Sequence, residues 1–246
     1  MALSVLIFIT LASIGWSLWI RRVTWHCRWE VAATLNIALQ GAAVALMSPL
    51  AASTVGVVLH NLTGVWNLQN YVGHDCYVVA ASAIVYNALG RLANDQVLQA
   101  SFKQYVERPA TLCIPMLLAT FSLSRGSKTY ARDFFTLTTD FWLSAYWVVL
   151  CGTLIYLLGF GFRALLALRK DPRSTQIANL YLLACGSGMM ACAVRIITAL
   201  LSALQGPFDA ALVWFFACTC GAGFALTSAQ SWQQKVKWLQ QPFVRG

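Results

Sequence analysis

In a chain this apolar, five residues stand out for chemistry: His60, His74, Asp75, Asp140 and Arg195. An ionisable group inside the hydrocarbon of a bilayer is costly, so each is a candidate functional residue by default. Arg195 is the plainest case. It lies 18 residues into the apolar run 177–203, roughly 27 Å along a helix at the α-helical rise. Asp140 near the start of the run 136–160, and His74 and Asp75 near the start of the run 71–89, fall at a similar depth, with His60 just before them. An arginine, two carboxylates and two imidazoles at one depth could line a pocket for a small polar ligand. The plainer alternative is an Arg–Asp pair that locks helices together, or an arginine snorkelling to the interface.

Other chemistry fares less well. His60, His74, Asp75 and Cys76 invite a metal or haem, since imidazole suits both. But adjacent residues diverge on a helix, so His74 and Asp75 do not converge on one ion, and no metal or cofactor is expected. Six of the eight cysteines fall inside apolar runs, where they read as small polarizable packing residues. The run 210–229 has no lysine for a retinal Schiff base. Ser187 in Gly186-Ser187-Gly188 lies at a different depth from His60 and His74, so intramembrane serine proteolysis lacks its base. No zinc-protease or phosphate-loop pattern occurs, and no catalytic residues are assigned. A membrane oxidoreductase holding haem or metal is the least favoured reading.

The elements that must position these residues are membrane helices. Hydrophobic residues make up 59% of the 246, charged residues 10%, and the mean hydropathy is +0.65. A soluble domain carries about 25% charged residues, so lipid must cover much of this surface. The spans expected are 2–20, 31–50, 71–89, 109–123, 136–160, 177–203 and 210–229. Between the second and third, 54–62 suits a short helix on the bilayer surface. Pro115 should kink the fourth span. Thirteen of the 17 Lys and Arg fall between spans on one side or in the tail 230–246, three fall on the other side, and Arg195 is within a span. By the positive-inside rule the N-terminus is then outside and the C-terminus in the cytoplasm. The net charge of +9 is thereby spent on orientation, and nucleic acid is not an expected partner. Trp25, Trp29, Trp232 and Trp238 sit at interface depth, the last two on the basic amphipathic tail. Ala184 and Gly188, and Ala217, Gly221 and Ala225, recur every four residues, so the last two spans should pack closely. The fold class is therefore all-α, a polytopic bundle of seven transmembrane helices.

The segment Leu62-Thr63-Gly64-Val65-Trp66-Asn67-Leu68, followed by Gly73-His74 at the head of a span, resembles a group of actinobacterial seven-span membrane proteins regarded as transporters, with short relatives in actinobacteriophages. That family tends to carry Leu-Thr-Gly-Val-Pro-Asn-Leu and then a histidine at the next span. This chain has Trp66 where the family has proline, and it lacks the soluble C-terminal extension of the longer members. The resemblance covers about 15 residues closely and the rest by architecture. It implies a protein of a bacterial cytoplasmic membrane, or a phage-encoded one.

These readings point to a non-enzymatic membrane protein that senses or transports a small ligand through an outward-facing polar pocket built from His60, His74, Asp75, Asp140 and Arg195. The alternative is an interaction protein, for example in phage immunity or envelope modification. Its basic loops and tail would then bind a cytoplasmic protein or anionic lipid.

Overall fold

The computed structural model describes residues 2–28, 30–92, 95–172 and 174–240. Trp29, Arg173, the Trp238 side chain and the last residues of the tail, 241–246, lie outside that description. The described residues form helices and no strand. In chain order these are α1 (Ala2–Ile20), α2 (Val31–Met47), α3 (Pro49–Ser53), α4 (Val55–Thr63), α5 (Leu68–Leu89), α6 (Asp95–Phe102), α7 (Arg108–Leu123), α8 (Phe141–Leu168), α9 (Thr175–Leu200) and α10 (Pro207–Gln240).

The boundaries have local causes. The Ser48 hydroxyl accepts from the Ala51 N–H at 3.2 Å, with Pro49 at the first helical position, so Ser-Pro closes α2 and opens α3. Gly64 ends α4 in the left-handed region at φ 74°. Asp140 caps α8, its carboxylate accepting from the Leu143 N–H at 2.9 Å. Asp209 sits in the first turn of α10 and accepts from the Gly206 N–H at 2.7 Å. Between α6 and α7 the chain stays helical through a single π-turn, Lys103–Glu107, so the stretch expected as a loop is wound up. Pro115 lies inside α7. α10 runs without interruption to Gln240, so the described part of the basic tail continues the last span.

Four helices are long and apolar enough to cross a membrane: Ala2–Ile20, Phe141–Leu168, Thr175–Leu200 and Pro207–Lys237. The chain therefore has the build of a multi-pass helical membrane protein. α2 is a shorter apolar helix, α5 is long but more polar, and α7 has 16 residues. Phe8, Trp19, Phe141 and Phe208 stand exposed on helix surfaces, as side chains that meet lipid tails should.

Successive long helices run up and down. α2 packs on α5, α8 on α9 and α9 on α10, while α1 lies against α10 and α2, and α7 against α8. One end of the bundle gathers the ends of α1, α5, α8 and α10 with the starts of α2, α7 and α9; it carries most of the arginines and lysines and is here the basic end. At the far end α3, α4 and the segment 124–140 join the helices.

Close approach depends on glycine at particular crossings. A Cβ on Gly188 would come within 2.8 Å of Leu158 Cδ1 and 2.9 Å of Cys220 Sγ, and one on Gly223 within 3.1 Å of the Ala184 Cβ. The α9 half of the small-residue stripe thus meets α10 as expected. The α10 half does not face α9: Gly221 looks onto Gln40 and Thr10, and the Ala225 carbonyl accepts from the Ser17 hydroxyl at 2.7 Å.

At the basic end a buried arginine joins three helices. Arg21, 1% exposed, donates from Nε to Thr34 Oγ1 at 3.2 Å, from Nη1 to the Ser228 carbonyl at 3.0 Å, and from Nη2 to Glu30 Oε2 at 2.9 Å. Lys235 pairs with the second Glu30 oxygen. Burial alone would push the Glu30 carboxyl up, but the hydrogen bonds and charges of Lys235 and Arg21 outweigh it and hold it below the usual carboxylate range. Arg21 read in the sequence as a loop charge; its side chain is instead a strut between α1, α2 and α10.

Candidate functional site

The five residues singled out by chemistry separate into one core pair and three others. His74 and Arg195 come together around one indole. His74, 2% exposed, sits with Nδ1 2.6 Å from the Tyr146 hydroxyl and its ring edge-on to Trp147, centroids 5.1 Å apart. Arg195, 1% exposed, lays its guanidinium over the same indole, 4.3 Å from the ring centre. α5, α8 and α9 each supply one of the three side chains.

Asp140, Asp75 and His60 have other surroundings. Besides capping α8, Asp140 accepts from the Arg125 N–H at 3.2 Å, which ties the α7–α8 connection to the helix start. Asp75 lies one turn after Tyr71 on α5, half-buried, with Oδ1 left without a hydrogen-bond partner among the described residues. His60 stacks face to face on Trp66, centroids 3.5 Å apart, and Tyr130 meets the same indole edge-on.

The partner of Arg195 is a residue the sequence reading passed over. Asp209 Oδ2 is 3.5 Å from Nη1, and the same nitrogen donates to the Phe135 carbonyl at 3.0 Å. A helix-start signal pointed to Asp209, since it stands two residues after Pro207. What the sequence did not carry is that Phe134–Thr136, a short 3-10 turn, folds inward and roofs the core at the far end. Phe134 and Phe135 are 1% and 6% exposed, packed among Phe121, Tyr146, Trp147 and Trp214. Asp133 anchors this roof, accepting from the Trp214 indole N–H at 3.1 Å and from the Phe135 N–H at 3.0 Å. Burial pushes the Asp133 carboxyl up, against those hydrogen bonds and the nearby Arg195 charge.

The motif Leu62–Leu68 acquires a physical meaning at the same end. Gly64 and Asn67 are the positive-φ residues of the described chain, which suits the two residue types that enter that region most readily. Asn67, buried at φ 58°, clamps the α7–α8 connection: Nδ2 donates to the Gly126 and Thr129 carbonyls at 2.7 and 2.8 Å, and Oδ1 accepts from the Ala131 N–H at 3.3 Å. The Trp66 N–H adds a bond to the Ser127 carbonyl at 2.9 Å.

Among the described residues, two cavities in the bundle bear on the site. A large one, about 790 Å³, opens at the basic end between α2, α5, α8, α9 and α10; Asn36, Asn87, Arg91, Tyr181, Ser228 and Lys235 give it its polar character. A chamber of about 80 Å³ lies deeper, and His74, Trp147 and Arg195 line it together with Gln40, Tyr77 and the thiols of Cys151, Cys192 and Cys220. Ile84 and Phe224 line both, so these two side chains form the partition between them. Among the described residues no group of three His, Cys, Asp or Glu is placed to hold a metal ion.

No family model, no curated protein and no solved structure matches the chain in the comparisons made.

Proposed function

We propose that the chain is a seven-span, non-enzymatic protein of a bacterial cytoplasmic membrane that takes a small solute into its bundle core, to carry it across or to sense it. The basic end faces the cytoplasm and the N-terminus of α1 the outside, as the distribution of Lys and Arg favours. The observation that carries the reading is the large cavity at the basic end, whose floor meets the inner chamber at Ile84 and Phe224. Its volume is in the range of small-molecule sites, about 300–1,000 Å³. A site near mid-bundle, reached from one side and roofed on the other, is also the arrangement alternating access requires. The sequence placed access on the outer face; the roof of Phe134 and Phe135 and the cavity at the basic end support access from the cytoplasm.

The test is thiol accessibility in a variant that keeps Cys220 as its sole cysteine, probed with a small membrane-impermeant methanethiosulfonate in vesicles of both orientations. A carrier exposes Cys220 to each side in turn, and a sensor exposes it from the cytoplasmic side alone. Protection from both sides would overturn the reading.

A further inference from the structure

The geometry points to the large cavity at the basic end as the site of a single-chain amphiphilic anion of the fatty-carboxylate class. Its tail lies toward Ile84 and Phe224 and its head at Arg91. This names the solute of the carrier-or-sensor reading and rests on that reading for the place of the site in the membrane.

The wall of this cavity changes character with depth, and in the same direction on more than one helix. α5 and the turn after it supply Ile84, Asn87, Ala88 and Arg91, which recur at three- and four-residue steps and so share one face. α10 supplies Phe224, Ser228, Ser231 and Lys235 in the same rhythm. Ile84, Tyr181 and Phe224 are buried at the inner end, the Tyr181 and Phe224 rings 5.6 Å apart between centroids. Arg91, Gln234 and Lys235 are exposed at the mouth. Phe224 and Lys235 stand three turns apart, roughly 16 Å at the helical rise. An extended alkyl chain of about ten carbons covers most of that distance. The side walls, Leu165, Ile177 and Ala178 among them, are apolar; they offer little to a hydrated ion, but each methylene buried there strengthens binding up to about fourfold.

Charge sets the sign of the head. Arg91 and Lys235 line the cavity, and among the described residues no Asp or Glu does. Lys235 shares the Glu30 carboxylate with Arg21, so that cluster keeps a net positive charge. Arg91 has no ion-pair partner among the described residues. Cations at the mouth of a low-dielectric cleft concentrate anions there, and a guanidinium can hold a carboxylate through two parallel N–H groups. The packing sets the source. α2, α5, α8, α9 and α10 pack each on the next around the cavity, and α1 lies against both α2 and α10. The way in therefore runs between the helix ends, past Arg91 and Lys235. A single-chain amphiphile dissolved in water can take that route, whereas a two-chain lipid would first have to leave the bilayer.

The experiment is equilibrium dialysis of radiolabelled decanoate against the full chain in phosphatidylcholine nanodiscs, with the signal of empty discs subtracted. The expected result is saturable binding that unlabelled decanoate and decyl sulfate displace, and that decyltrimethylammonium and acetate do not. Arg91→Gln should weaken it at least about fivefold, and Gln234→Glu, which sets a carboxylate at the mouth, about threefold or more. Both positions are exposed, so both variants should fold. Binding no greater than that of empty discs would overturn the assignment, as would wild-type affinity in both variants. Equal displacement by the cationic amphiphile would overturn the anionic head, and equal displacement by acetate the apolar tail. Loss of saturable binding in phosphatidylglycerol discs would put a bilayer lipid in the cavity and overturn the soluble source. The Cys220 labelling is read separately: Cys220 accessible with no decanoate bound removes this assignment alone, whereas Cys220 protected from both sides removes the functional reading beneath it.

Discussion

At the scale of single residues, the polar side chains that matter most act through geometry that sequence spacing does not reveal. Asn67 is a clear case. Its backbone is left-handed and its amide holds three backbone groups of the segment 126–131. Asn67→Ala should lower stability by about 2–3 kcal/mol, the sum of lost buried hydrogen bonds and a strained φ. Asn67→Gly relieves the strain but supplies no amide, so its Tm should fall nearly as far. Equal Tm for wild type and Asn67→Gly would refute the clamp. Glu30 gives a pH-dependent counterpart. A carboxyl held below its unfolded value of 4.5 contributes stability that is complete above that pH and lost as pH falls through the folded value. Glu30→Gln should cost about 2–3 kcal/mol at neutral pH and flatten the decline of Tm on acidification below that value. A variant that declines as steeply as wild type would show that other carboxyls govern acid unfolding. Of the candidate residues, His74 and Arg195 were legible because an ionisable side chain deep in an apolar run needs a reason. That Trp147 joins them, and that Asp209 rather than Asp140 stands beside Arg195, depends on helix rotation and on an inward loop, neither of which spacing encodes.

At the scale of elements, hydropathy placed the long helices well and their ends less so. α1 follows the apolar run 2–20, and α4 covers the segment read as a short surface helix. α8 begins at Phe141, later than the apolar run, because Asp140 caps it there, and α10 begins at Pro207, earlier than its run, because proline pre-sets the first turn. The stretch around α6 was hidden by its charges, since a helix with a mixed surface carries no run for hydropathy to find. Glycine placement makes a paired test within α9. Gly188 lies against Leu158 and Cys220, whereas a Cβ on Gly186 meets nothing within 4 Å. Gly188→Ala should lose about 1–2 kcal/mol to overpacking, net of a better helix propensity. Gly186→Ala should be neutral or gain up to about 1 kcal/mol. If the two variants shift Tm alike, the α8–α9–α10 contact is not as close as described.

At the scale of the whole molecule, the bundle is asymmetric. The far end is closed by aromatic side chains and by a loop that Asn67 and Asp133 hold in place. The basic end is open between five helices and tied at its rim by Arg21, Glu30 and Lys235. Charge distribution carries the proposed orientation, whereas which end opens is a property of packing and appears only once the helices are assembled. The central claim is that this opening is an aqueous way from the cytoplasm to the core. Its most direct test is Ser231→Cys, at a buried position on the cavity wall, in a chain whose eight native cysteines are replaced by serine or alanine. A membrane-impermeant maleimide should label this cysteine in inside-out vesicles and leave it unlabelled in right-side-out ones. Labelling in right-side-out vesicles, or in neither, would contradict the account.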